Sequence, residues 1–237
     1  MNSERRALLA FFGLSALSFL SAEARSGRHI VLLGDSVFDN AAYTGGGPSV
    51  STQLARQLSD WRVSMNALDG ATTQDIPRQL AELPKDATHI VLSVGGNDAL
   101  HHTGLLDTPV RSSAQAFSML AIAVSDFKRA YENALRPCLA TKLPLVICTI
   151  YNGNFPDAAF QRHVAMALSA FNDVILREAI ANSLRAIDLR LVCDRPEDYA
   201  NPIEPSSIGG EKIVRVIGQA VEGTAHRGPG AHVIGAG

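Results

Sequence analysis

The sequence predicts one α/β domain, a three-layer α/β/α, flavodoxin-like sandwich around a five-stranded, mostly parallel sheet. Three observations carry that prediction. Short strand-like runs at 29–33, 61–66, 89–94, 145–150 and 186–189 alternate with longer segments whose apolar residues recur at helical spacing, and such alternation implies crossover connections between parallel strands. Several runs are apolar without interruption, the mark of strands covered on both faces. Apolar residues make up 46% of the 237-residue chain, enough to furnish a core on each side of a sheet.

The elements follow in order. His29-Ile30-Val31-Leu32-Leu33 reads as the first strand and closes on Gly34. After Gly45-Gly46-Gly47 a helix opens near Pro48, since proline suits a first helical turn, and carries Val50, Leu54 and Leu58. The second strand spans 61–66. Thr72-Thr73-Gln74-Asp75 then opens a helix with Ile76, Leu80 and Leu83 at helical spacing. The third strand spans 89–94 and meets Gly95-Gly96. Segment 113–139 reads as a long amphipathic helix broken by Pro137. A fourth strand at 145–150, a helix at 157–181, a short fifth strand at 186–189 and a helix at 209–221 complete the order. The remainder is glycine-rich and is expected to be loose.

The ends set the domain plan. Arg5-Arg6 precede the uncharged stretch 7–20, followed by Ser21-Ala22-Glu23-Ala24. A positive start, an apolar stretch and a small-x-small site describe a secretory signal peptide over 1–24, which places the mature protein in the periplasm or outside the cell. The stretch is shorter than a spanning helix requires, so no stable membrane span is expected after processing. The domain then covers 25–223 and the tail 224–237. A net charge of -2, with no basic stripe interleaved with aromatics, excludes nucleic acid as an expected partner. The three cysteines are Cys138, Cys148 and Cys193. Cys148 lies within an apolar strand, a Cys138–Cys193 bridge is open on sequence grounds, and no metal-ligand spacing is present.

Three strand ends carry distinctive polar residues: Gly34-Asp35-Ser36, then Asp69-Gly70-Ala71, then Gly95-Gly96-Asn97-Asp98. Ligand sites in open α/β sheets sit at these carboxyl ends. Singly, Ser36 and Asn97 also suit helix caps, and Gly70 a turn with positive φ. Together, on successive strand ends, they form one site. With these blocks the chain, from about His29 to Val221, resembles the SGNH hydrolases, also called GDSL esterases and lipases. The resemblance implies a serine hydrolase of ester bonds with no cofactor and no metal. It assigns Ser36 as nucleophile, and the Ser36 amide, the Gly70 amide and the Asn97 side chain as the oxyanion hole. The expected substrate is a small ester, or an acyl group carried on a carbohydrate or lipid.

The family's last block, Asp-x-x-His, reads here Asn201-Pro202-Ile203-Glu204, followed by Pro205-Ser206 and the helix-opening Gly209. Glu204 thus stands where histidine is expected and Asn201 where aspartate is expected. A carboxylate accepts a proton, but its ordinary pKa lies about two units below that of histidine, roughly 3 kcal/mol less driving force. Asn201 is expected to steady Glu204 by donating its amide hydrogens, where a second carboxylate would compete for a proton. His101 and His102, just beyond Asn97, are alternative bases. The departures also admit a catalytically impaired binding protein on the same scaffold, recognising an acyl or carbohydrate ligand. Oligomeric state is not indicated.

Overall fold

The computed structural model describes residues 27–223 and 231–235. The expected signal peptide and the first part of the tail lie outside the described residues. Six strands form one wholly parallel sheet: β1 (His29–Gly34), β2 (Arg62–Met65), β3 (His89–Ser93), β4 (Leu145–Cys148), β5 (Arg185–Ile187) and β6 (His232–Ile234), ordered β2-β1-β3-β4-β5-β6. The helices are α1 (Val50–Gln57), α2 (Ile76–Ala81), α3 (Gly96–Leu100), α4 (Ser113–Ala140), α5 (Ala158–Ala181) and α6 (Ser207–Glu222).

The sheet divides the core in two. On β1, Ile30 and Leu32 join one cluster with Leu54, Ile213 and Ile217 from α1 and α6. Val31 and Leu33 point the other way, into a cluster with Ile76, Phe127, Tyr131 and Ile175 from α2, α4 and α5. Alternate side chains leave a strand on opposite faces, so an uninterrupted apolar strand needs helices on both.

Two expectations are corrected, and the bridge the sequence leaves open is decided. The sheet has six strands, because His232, Val233 and Ile234 in the expected loose tail pair with β5 in register Arg185↔His232 to Ile187↔Ile234. That edge is tied further by the Asp188 amide, which donates to Ile234 O at 2.8 Å. Pro137 does not break α4, which runs on to Ala140. It sits in the last turn between the buried Leu135 and Cys138, so packing holds the helix past the lost amide. The Cys138–Cys193 bridge is not formed: both thiols are free and buried, on opposite faces of the sheet. Burial pushes each thiol up to about 12, so they behave as small apolar residues. Among the described residues, no helix is long and apolar enough to cross a membrane.

Candidate active site

All six strands run in one direction, so the loops after β1, β2, β3 and β4 and the segment before α6 meet along one edge of the sheet. Gly34 ends β1 at φ 134°, and a Cβ there would lie 1.8 Å from Ser93 O on the neighbouring strand. Only glycine permits this close turn. Gln79 clamps the turn, accepting from Gly34 N at 2.7 Å and donating to Gly34 O at 2.8 Å. The chain then swings Ser36 into a cleft of about 410 Å³.

The backbone amides around Ser36 divide sharply. Asp35 N donates to Ser93 O and Val37 N to the Asp35 carboxylate. Asp69 N donates to Asp39 and Ala71 N to Leu68 O. Among the described residues, the amides of Ser36 and Gly70 between them meet no intramolecular acceptor. Gly70 has φ 75° and nothing within 4 Å of a Cβ position, so no side chain or backbone atom crowds that side of the turn. Asn97, at the start of α3, donates to Ala71 O at 2.9 Å, which fixes its amide beside the Gly70 turn. One hydrogen of that NH₂ group remains for a further acceptor.

Glu204 lines the same cleft beside Ser36 and is only 6% exposed. Its Oε2 is buried with no partner. Burial raises this carboxyl to about 7, against the opposing pull of the nearby Ser36 hydroxyl. Asp35, beneath the serine, is 3% exposed and is also raised to about 7, chiefly by burial and in part by the Glu204 and Asp98 charges.

Four contacts hold the segment that carries Glu204. Tyr151 Oη donates to Ile203 O at 2.5 Å, Asn154 N to Pro202 O at 2.8 Å and Ala200 N to Glu204 O at 2.8 Å. Asn40 Nδ2 donates to Pro205 O at 3.1 Å while its Oδ1 accepts from Val50 N, so one buried side chain joins the serine loop, α1 and the Glu204 segment. Ser206 caps α6, and Gly209 lets that helix approach Asp198 O, which a Cβ would meet at 2.2 Å.

Asn201 differs from its expected part. It is exposed, and its Oδ1 accepts from the amides of Ile203 and Glu204, both at 2.9 Å. The side chain therefore shapes the turn instead of steadying the carboxylate. His101 is exposed, and His102 lies in the cleft with its ring 6.1 Å from that of Phe171. Sequence reasoning missed Asp35 as a raised acid, Tyr151 and Asn40 as braces, and His163 as a cleft residue; their roles depend on burial and on contacts distant in sequence.

The profile of the GDSL-like lipase/acylhydrolase family matches residues 32–212. The chain belongs to that family. Family membership makes it an ester-bond hydrolase. The fold is also that of the extracellular lipase of Streptomyces rimosus, at 15% identity and TM-score 0.64, covering 82% of this chain and 100% of that one. Phospholipase A1 of Streptomyces albidoflavus NA297 is similar at 17% identity and TM-score 0.61, covering 82% and 100%. The acetylxylan esterase Axe2 of Geobacillus stearothermophilus aligns at 16% identity and TM-score 0.54, covering 85% and 97%. No curated protein sequence matches the chain.

Proposed function

We propose that the protein hydrolyses a small carboxylic ester through Ser36, with Glu204 in the role of general base. The observation that carries the reading is the pair of unengaged amides at Ser36 and Gly70, next to Asn97, with the buried Glu204 carboxyl beside the serine in the same cleft. The Ser36 Oγ attacks the ester carbonyl and its proton passes to Glu204. The carbonyl oxygen becomes an oxyanion held by the two amides and the Asn97 NH₂ group, a contribution of about 3 kcal/mol per donor. Glu204 then returns the proton to the leaving alkoxide. In the second half-reaction water, deprotonated by Glu204, attacks the acyl-serine; the acyl–Oγ bond breaks, Glu204 returns the proton to Ser36 Oγ and the acid leaves. A carboxyl raised to about 7 is as basic as an ordinary imidazole, so burial offsets the weakness of glutamate as a base.

Purified protein is expected to cleave a short-chain chromogenic ester. Ser36→Ala and Glu204→Gln are each expected to lose about a thousandfold or more in kcat. Because the base must be ionised, kcat/KM is expected to rise with pH and level off above about 7. Equal rates in the protein and Ser36→Ala overturn the reading. The charged, apolar and small-residue pattern of 1–24 supports export to the periplasm or beyond, checked by the N-terminal sequence of protein recovered from that compartment.

A further inference from the structure

We propose that the ester cleaved at Ser36 joins a long apolar acyl chain to an alcohol that bears no anionic group, an inference about ligand class that rests on the hydrolytic reading above. The first half comes from the cleft. Asp35, Ser36, Asn97, Thr149 and Glu204 line its polar part, and the rest is mostly aliphatic and aromatic. The short 3-10 turn Thr103–Asp107 contributes Leu105, α4 contributes Phe117 and Leu120, and α5 contributes Val164, Leu168 and Phe171. Phe171 packs against Phe127 at 5.1 Å between ring centroids, which ties α4 and α5 together at that level. Two large apolar side chains of the same cleft stand in water, Phe117 at 70% and Met166 at 72% exposure. An acetyl group leaves most of this surface wet, whereas an alkyl chain covers it.

The second half comes from charge. Among the described residues, no lysine or arginine lines the cleft. Asp35 and Glu204 do, and Asp39, Asp69 and Asp98 crowd around them. These outer carboxylates are held by neutral donors: Asp69 by Tyr43 Oη at 2.6 Å, Asp39 by the Asp69 amide, and Asp98 by Thr73 N and Oγ1. Among the described residues, none of the three forms an ion pair. Glu204 Oε2 is buried without a donor. The titratable groups with a cationic form in the cleft are His102 and His163, both among its lining. A phosphate or carboxylate on the leaving alcohol meets like charge here, and a hydroxyl or ammonium does not.

Two measurements test this. The first is kcat/KM for p-nitrophenyl acetate, butyrate, octanoate and decanoate. It is expected to climb by up to about fourfold per added methylene, the equivalent of ~0.8 kcal/mol. A flat or falling series overturns the chain assignment. The second is calorimetric binding of dodecyl maltoside, dodecyltrimethylammonium and dodecyl phosphate, below their micelle concentrations at pH 8, to Ser36→Ala. Dodecyl phosphate is expected to bind about tenfold or more weakly than the other two, and equal affinities overturn the charge assignment. Val164→Trp is expected to abolish dodecyl binding, with Ala167→Leu as a milder filling of the same space. Unchanged binding in both, with native circular dichroism, overturns the location. Chain-dependent binding with no hydrolysis of any ester removes the catalytic reading and leaves the ligand class standing. Ser36-dependent hydrolysis at equal rates across the series does the reverse.

Discussion

At the scale of single residues, the site depends on where a side chain is absent. Gly34 holds φ 134° with Ser93 O where a Cβ would fall, so Gly34→Ala must shift either β1 or β3. We expect it to destabilise the fold by about 3 kcal/mol or more, seen as a lower urea midpoint, and to move Ser36 away from Glu204. An unchanged midpoint contradicts the close approach. Gly70 offers the opposite case, since open space surrounds its Cβ position and only its φ of 75° resists substitution. Ser36, Gly70 and Asn97 are legible in the sequence because they follow three successive strands at turns marked by glycine, and Glu204 because Pro205 and the helix-opening Gly209 follow it. The state of Asp35 is not legible in the same way. Its carboxyl is raised by burial, and burial is a property of the folded surroundings that Gly-Asp-Ser does not encode. Asn201 shows the same limit. The residue type suits either a carboxylate or a backbone turn, and only the geometry separates them.

At the scale of elements, the serine side is built on a rigid strand, while Glu204 rides on a segment without regular structure between two 3-10 turns and α6. Its position depends on Tyr151, Asn154 and Asn40. Removing one brace should loosen the base more than the substrate. Tyr151→Phe is expected to lower kcat about tenfold while KM stays within about twofold, because misplacement acts on the proton transfer step. A change confined to KM contradicts that part. Element order was legible along almost the whole chain, since β1, β3 and β4 are short apolar blocks near glycine or proline and β2 and β5 fall between the helical segments that alternate with them. Two elements escaped for physical reasons. Strand β6 has three residues in a glycine-rich setting, and its formation depends on the exposed edge of β5 more than on its own composition. The last turn of α4 survives Pro137 because tertiary packing outweighs a local penalty of about 3 kcal/mol.

At the scale of the whole molecule, the site carries a cost in stability that depends on pH. Glu204 and Asp35 ionise at about 7 in the fold, against ordinary values of 4.5 and 3.8. A carboxyl raised in this way favours the native state while protonated. Its contribution is complete below the ordinary value and is lost as pH climbs toward about 7, where the unfolded chain has released the proton and the native chain must follow. Asp75 and Asp188 act with opposite sign. Thr72 amide and hydroxyl contacts with Arg78 hold Asp75 below 3.8, and Arg190 with Thr149 does the same for Asp188 against the effect of burial. Their stabilisation is present above 3.8 and is lost as pH falls below it. The two effects place the stability maximum near pH 4, below the pH at which Glu204 is ionised and the hydrolase is most active. Glu204→Gln removes one of the opposed groups. The variant is expected to be more stable than the parent by about 2 kcal/mol at pH 8, equal to it near pH 4, and inactive at both. Thermal unfolding across pH 4 to 9 decides the matter: a parent Tm that climbs steadily to pH 8, unaltered by Glu204→Gln, refutes the opposition between stability and base strength at this carboxyl.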